Sequence, residues 1–528
     1  MSGARTGAAT VAVFLCDHLQ TRWALPVEEI RRWAATAAPP VTLQVVRGLC
    51  EAPRGLQEHL ARSGASRAVV GLCRRPASRA DLQAAVRRAG LDPAGVEVVD
   101  LGTYAARAHR PPDAARKAVV LLAGAAARAR AFAGSLAQQH VPVPPRTLSR
   151  RSLLTLSVLE YRYVPAVRED LCRAEEGCTL CEWACPHRAL QVQDGSVALD
   201  ALRCTGCGIC VTACPHDAVH LPGWMAHEVH ALADALADAS ASSRPAVLVL
   251  CAHADSPLHD LVHRRGGYPA PWIPLEVPCV EMVSGGWLLA LVSRGVAVGV
   301  LPCPDRAVPG ERSLVRGRVE FCRALLEQTG HHPEAVRLLP QDPAALAEAL
   351  EVRPEVRPPR SSPREPFRHL ATGQTILHLV GGAAPDVTHP FSPLGVVEVK
   401  DGCTLCGACA TACPTDALAV HAAEDQLSLT FDPDRCVACG HCVPVCPEPG
   451  VLRLRQTTSP AALAAGKVPV ATDRAPRCAR CHRPIAPAGM LRRIAAALAS
   501  HPETVQVISR YCADCRGLPG AVDGPVEA

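Results

Sequence analysis

Residues 403–414 read CTLCGACATACP, residues 204–215 read CTGCGICVTACP, and residues 436–447 read CVACGHCVPVCP. Each stretch spaces four cysteines as C-x2-C-x2-C-x3-C and closes on proline. The sets are Cys204, Cys207, Cys210 and Cys214 before Pro215; Cys403, Cys406, Cys409 and Cys413 before Pro414; and Cys436, Cys439, Cys442 and Cys446 before Pro447. This is the bacterial spacing for cubane 4Fe–4S clusters, in which three thiolates on a tight loop grip three irons and the fourth serves the other cluster of a pair. Zinc knuckles use C-x2-C pairs rather than this quartet, and structural disulfides have no reason to repeat a proline-terminated spacing. The spacing predicts a protein that moves electrons.

A fourth run departs from the rule. Cys178, Cys181 and Cys185 before Pro186 fit its end, but Glu175 stands where the first cysteine belongs and Cys172 lies three residues further upstream. A longer loop can still deliver that thiolate, so Cys172 is the expected ligand; otherwise the cluster has three cysteines and a weakened fourth site. The four runs take sixteen of the 27 cysteines and predict four 4Fe–4S clusters. The crossing rule groups Cys204, Cys207 and Cys210 with Cys185, and Cys172, Cys178 and Cys181 with Cys214. By the same rule Cys403, Cys406 and Cys409 take Cys446, while Cys436, Cys439 and Cys442 take Cys413. Asp194-Gly195 centres an expected hairpin, residues 189–198, between the first two motifs. His187, His216 and His441 adjoin the motifs, either as solvent-facing loop residues or as hydrogen-bonding partners that tune potential.

With 528 residues the chain needs several domains. Hydrophobic content of 48% is globular, and aromatics at 3% leave the cores to Ala, Val and Leu. A net charge of +5 with interspersed signs gives no nucleic-acid footprint. So many cluster-type thiols argue for a reducing compartment, the cytoplasm. The apolar stretch 8–15 is short, lacks a small-residue cleavage site, and reads as a strand. The stretch 287–301 is interrupted by Ser293, Arg294 and Gly295, too early for a membrane span, so no direct membrane insertion is expected.

Strands are predicted at 10–15, 41–46, 67–72 and 96–101, with helices at 27–37 and 79–89 between them, which makes an α/β layer with a parallel sheet. Cys16, Cys50 and Cys73 each fall at or just after a strand's carboxyl end, the edge where open α/β sheets place ligands. They can hold a further cluster with His18 as fourth ligand, or be buried small hydrophobes. Residues 245–339 repeat the plan: strands at 247–250, 273–277 and 296–301 lead to Cys251, Cys279 and Cys303, and a helical stretch covers 281–293. Cys322, inside a helical stretch at 319–326, reads as core. In the tail, Cys478, Cys481, Cys512 and Cys515 form two C-x2-C pairs around an expected helix at 490–499, suggesting structural zinc, with an iron site or free thiols as alternatives.

The expected fold class is therefore α/β plus α+β and multidomain. The domains are an α/β unit at 1–150, a dicluster unit at 160–225, a second α/β unit at 240–350, a Pro/Arg-rich linker and connector at 351–392, a dicluster unit at 393–456, and a zinc-ribbon-like tail at 470–528. No G-x-G-x-x-G follows a strand and no P-loop is present, so neither flavin nor nicotinamide binding is indicated. No two cysteines are adjacent, which removes the usual arrangement for a cluster that cleaves a disulfide. No catalytic residue is assigned.

Three resemblances add to this reading. The four Cys-Pro runs resemble two bacterial-type dicluster ferredoxin domains. Val13-Phe14-Leu15-Cys16, Gly48-Leu49-Cys50, Val69 to Cys73, and Ala89 to Pro93 resemble the N-terminal domain of the heterodisulfide reductase A subunit. That family usually has Cys-x-Cys in its first motif, where this chain has His18, and its domain carries an iron–sulfur cluster. Cys279, the helix after it, and the strand from Gly295 to Cys303 resemble the delta subunit of methyl-viologen-reducing hydrogenase, an electron-transfer module with a 2Fe–2S cluster. Together the resemblances cover most of residues 10 to 455. They imply an electron-transfer subunit partnered by a hydrogenase, formate dehydrogenase, flavoprotein or molybdenum enzyme, or else an enzyme subunit acting on thiol or sulfur substrates.

Overall fold

A computed structural model describes residues 9–52, 55–74, 79–143, 160–239, 245–303, 313–354, 356, 367–423 and 426–517. The chain divides into two compact units, Met1–Cys172 with Thr179–Leu379, and Arg173–Cys178 with Val380–Ala528.

The first unit contains two four-stranded parallel sheets. Strands Val11–Cys16, Val41–Val46, Arg67–Leu72 and Val96–Asp100 form one, in the order second, first, third, fourth. Strands Ala246–Leu250, Trp272–Glu276, Ala297–Val300 and Val336–Leu338 form the other in the same order. The central strands are continuous apolar runs because helices cover both faces: every residue of Val11–Cys16 and of Ala246–Leu250 is buried. The predicted strands lie within one or two residues of those observed. The same holds for helices Val27–Thr36 and Arg79–Arg88. Cys322 is fully buried in helix Leu314–Gln328, as expected of a core residue.

An alanine-rich helix of 21 residues, Pro111–Ala131, packs on helix Ala226–Ala239. Close approach at Gly124 makes the pairing tight, since a Cβ there would lie 2.8 Å from Leu236 and 2.9 Å from Leu232. From the same helix the buried Lys117 donates to the carbonyls of Ala270 and Trp272, at the start of a second-sheet strand. Desolvation brings its ammonium down to about 7. The apolar stretch at 287–301 is a buried helix, Gly285–Ser293, then a strand, separated by Arg294 and Gly295. Among the described residues no helix is long and apolar enough to cross a membrane.

Between the sheets in sequence lie the first two Cys-Pro runs. Strand Ala166–Val167 pairs antiparallel with Val219–His220, and hairpin Leu190–Gln193 with Ser196–Leu199 sits between the motifs. Asp194 (φ 48°) and Gly195 (φ 75°) supply the two left-handed positions of that turn. The second unit repeats the layout. Val396–Val399 pairs antiparallel with Leu452–Arg455, and Leu418–Ala423 with Gln426–Phe431. This longer hairpin gains a third strand, Val468–Arg474.

The Pro/Arg-rich part of the expected linker lies mostly outside the described residues. Within the remaining connector, Thr372–Val380 is helical with Ile376 and Leu379 buried, and Val387–Thr388 pairs with Thr457–Thr458. The expected tail helix is found at Ala488–Ala497, and a second follows at Pro502–Arg510.

Candidate iron–sulfur and metal sites

The residue before the second cysteine of each run has a left-handed backbone: Gly177 (φ 88°), Gly206 (φ 72°), Leu405 (φ 52°) and Ala438 (φ 52°). In the three regular runs the residue after that cysteine does too, at Gly208 (φ 81°), Gly407 (φ 80°) and Gly440 (φ 81°). Alternating left- and right-handed residues turn successive N–H groups into one concavity, the backbone nest that suits anions and iron–sulfur centres. A left-handed Leu or Ala costs about 1–2 kcal/mol, so its presence at Leu405 and Ala438 marks a conformation that the site requires. The amides reach the sulfurs. Cys214 accepts from Ala218 at 3.3 Å and Cys185 from Ala189 at 3.2 Å. The N–H groups of Leu405, Ala438 and His441 are directed at Cys403, Cys436 and Cys439. Near Cys439, then, it is the backbone of His441 that meets the sulfur.

Cys403, Cys406 and Cys409 line one cavity with Cys446, among Val399, Leu405, Val420 and Leu429. Cys204, Cys207 and Cys210 line another with Cys185. Cys413 is an electrostatic neighbour of Cys436, Cys439 and Cys442. Cys172 packs on the apolar patch that contains Cys181 and Cys214; Cys178 is half-buried. In the second unit Cys409, Cys436 and Cys442 are themselves core residues beside Leu429 and Phe431, with Cys403, Cys413 and Cys446 packed against them. Burial pushes the Cys409 and Cys436 thiols up to about 11 and Cys442 to about 12, and neighbouring thiols add to the effect. Thiolates gather in such a place when a cation neutralises them. Soft sulfur donors around one apolar cavity fit an iron–sulfur cluster.

Two tighter groups lie elsewhere. Cys16, His18, Cys50 and Cys73 bring their ligand atoms within 4.8 Å of one another, and so do Cys478, Cys481, Cys512 and Cys515. In the tail, Cys481 and Cys512 sulfurs are 3.5 Å apart. A small turn closed by the Arg477–Pro484 bridge presents the first pair, and the Arg483–Asp514 ion pair at 2.5 Å ties it to the second. Burial opposes ionisation of Cys478, but amides of Cys512, Cys481 and Arg480 outweigh it and bring that thiol down to about 6.

Cys251, Cys279 and Cys303 follow the first three strands of the second sheet, as predicted, yet none belongs to a close donor group among the described residues. Cys279 instead has Cys251 and Cys207 as electrostatic neighbours. The turn Val280–Met282 packs on helix Ile209–Ala213, where Thr212 Oγ1 donates to Met282 O at 2.7 Å. The second sheet therefore stands beside the cavity of Cys185, Cys204, Cys207 and Cys210. Cys251-Ala252-His253 repeats the Cys-x-His step of Cys16-Asp17-His18 at the same strand of a topologically identical sheet, without forming a close donor group among the described residues.

Comparison with known families agrees with this geometry. Residues 402–449 match the 4Fe-4S dicluster domain, spanning both later runs, and residues 197–220 match the 4Fe-4S binding domain, spanning the run from Cys204. No curated protein matches the chain. The chain is thus an iron–sulfur protein of mixed α/β, multidomain architecture, with parallel sheets and ferredoxin-like domains that carry multiple 4Fe–4S sites. Such domains imply redox partners.

Proposed function

We propose that this protein is a non-catalytic electron-transfer subunit of an oxidoreductase complex in the cytoplasm. It passes electrons through four 4Fe–4S clusters between a partner dehydrogenase, hydrogenase or flavoprotein and an acceptor. Alternation of two sheet units with two dicluster units, followed by a zinc-binding tail, is the domain plan of this reading. The cluster ligands are Cys172, Cys178, Cys181 and Cys214; Cys185, Cys204, Cys207 and Cys210; Cys403, Cys406, Cys409 and Cys446; and Cys413, Cys436, Cys439 and Cys442. The observation that carries the proposal is the pair of cavities in which three cysteines of one run meet the last cysteine of its neighbour. That exchange keeps two clusters in one small fold and so makes a conduit. Each bound cluster supplies a one-electron step; the chain's own residues supply thiolates, inward amides and an apolar wall that excludes water.

The test is anaerobic purification followed by reduction with a strong reductant and reoxidation by viologen dyes. The isolated chain should cycle electrons yet turn over no hydrogen, formate, nicotinamide or heterodisulfide until a partner is added, because each needs a two-electron site. Turnover by the chain alone, abolished by Cys50→Ala or Cys279→Ala, would instead identify an enzyme of heterodisulfide reductase type.

A further inference from the structure

We infer that Cys16, His18, Cys50 and Cys73 hold one tetrahedral thiophilic ion, zinc by its donor set, and no iron–sulfur cluster. The first sheet is then outside the electron path.

The distances decide the nuclearity. Around a single zinc, bonds of about 2.3 Å to sulfur and 2.0–2.1 Å to nitrogen set tetrahedral edges of about 3.8 Å between sulfurs and about 3.5 Å between sulfur and nitrogen. The Cys16 and Cys73 sulfurs are 3.8 Å apart. His18 Nδ1 lies 3.3 Å from the Cys50 sulfur and 3.9 Å from that of Cys73. In a cubane each thiolate binds a different iron, so the sulfurs must stand further apart than around one ion. The same chain supplies the control. Among the described residues none of the sixteen cysteines in the Cys-Pro runs belongs to a group of this closeness, although Cys403, Cys406, Cys409 and Cys446 share one cavity.

The scaffold is built for a small, closed centre. Cys16 ends the first strand, Cys73 directly follows the third, and the two strands are paired neighbours. Cys50 is brought in by the turn after the second strand. There the Gly48 N–H donates to Asp17 Oδ1 at 2.8 Å, with Gly48 left-handed at φ 60°. All three cysteines are at most 3% exposed, while His18 keeps 20% of its side chain exposed. There is no slack behind the cysteines: a Cβ on Gly102 would lie 1.8 Å from the Cys73 carbonyl oxygen. Three sulfurs and one imidazole fill the four positions of a tetrahedral ion and make a structural Cys3His site, which joins three strand ends. Zinc has no redox chemistry to offer there.

The experiment compares anaerobically purified full-length protein with the Cys50→Ser and His18→Cys variants. Zinc, iron and acid-labile sulfide are counted per chain, and zinc-edge X-ray absorption is recorded. Cys50→Ser should lose one zinc with iron and sulfide unchanged. His18→Cys should keep that zinc, with a sulfur bond replacing one nitrogen bond in the absorption spectrum. Retention in the second variant separates loss of a ligand from loss of the fold. Repeating the Cys50→Ser count in a Cys478→Ser/Cys481→Ser background removes any contribution of the tail. If Cys50→Ser takes away iron and sulfide together, or leaves the zinc count untouched, the inference is overturned. Neither outcome bears on the four clusters of the conduit.

Discussion

Cys446→Ala withdraws the one thiolate that the cavity of Cys403, Cys406 and Cys409 receives from the last run. The four proposed cubanes would bring about sixteen irons per chain, and a cubane that falls apart for want of one ligand would remove about four of them. The single variant alone does not reveal which cluster was lost, but two double variants do. Substitutions that strike one shared site do not add, whereas those that strike independent sites do. Cys406→Ala/Cys446→Ala damages one cluster twice and should retain about twelve irons. Cys439→Ala/Cys446→Ala damages two clusters and should retain about eight, by the crossing rule. Iron and acid-labile sulfide per chain, with spin quantitation of the reduced protein by EPR, give the two counts. If the Cys439 double retained about twelve irons and the Cys406 double about eight, Cys446 would serve its own run and the crossed assignment would be refuted.

Replacing Cys478 and Cys481 with Ser should release one zinc and leave the cluster spectra unchanged; loss of an iron signal would make the tail an iron site. Gly440 is left-handed at φ 81° with nothing within 4 Å of where a Cβ would stand, so Gly440→Ala tests backbone conformation without steric contact. It should cost about 1–2 kcal/mol and speed bleaching of the 4Fe–4S absorbance in air, and an unaltered bleaching rate would count against the nest. Lys117 provides the pH test. Its folded value of about 7 lies below the unfolded lysine value, so the unfolded chain binds the extra proton between the two and stability rises with pH across that window. Below pH 7 the penalty of the buried charge is fully present. Lys117→Met should flatten the rise between pH 7 and about 10, measured as denaturation midpoints at both ends; an equal rise in both proteins would show that Lys117 does not cause it.

The sheet strands were legible because each is a short apolar run between turn signals, and the cysteine quartets because iron fixes their spacing. Three kinds of feature were not. The pairing of Pro111–Ala131 with Ala226–Ala239 rests on alanines and Gly124, whose small side chains give only a weak polar–apolar contrast. The third strand, Val468–Arg474, joins its hairpin through backbone bonds that no side-chain pattern announces. The approach of Cys279 to Cys207 joins residues 72 positions apart in different domains of the sequence reading. Strand-end position offered Cys16, His18, Cys50 and Cys73 as donors or as buried small hydrophobes, and the structure brings the four ligand atoms together. Whether such donors surround one ion or a cluster is a matter of a few ångströms, which only coordinates express. Leu405 and Ala438 went unnoticed because nothing in their side chains advertises a left-handed backbone.

Cys409, Cys436 and Cys442, the proposed iron ligands, also stand where another small domain would have Leu or Val. Much of that interior is therefore inorganic, and it can be removed by oxygen without cutting a peptide bond. On this reading, a copy that loses a cluster should keep its two parallel sheets and open the dicluster region to proteases. The lifetime of this chain should accordingly follow its exposure to oxidants, so that spent copies are cleared while intact ones persist.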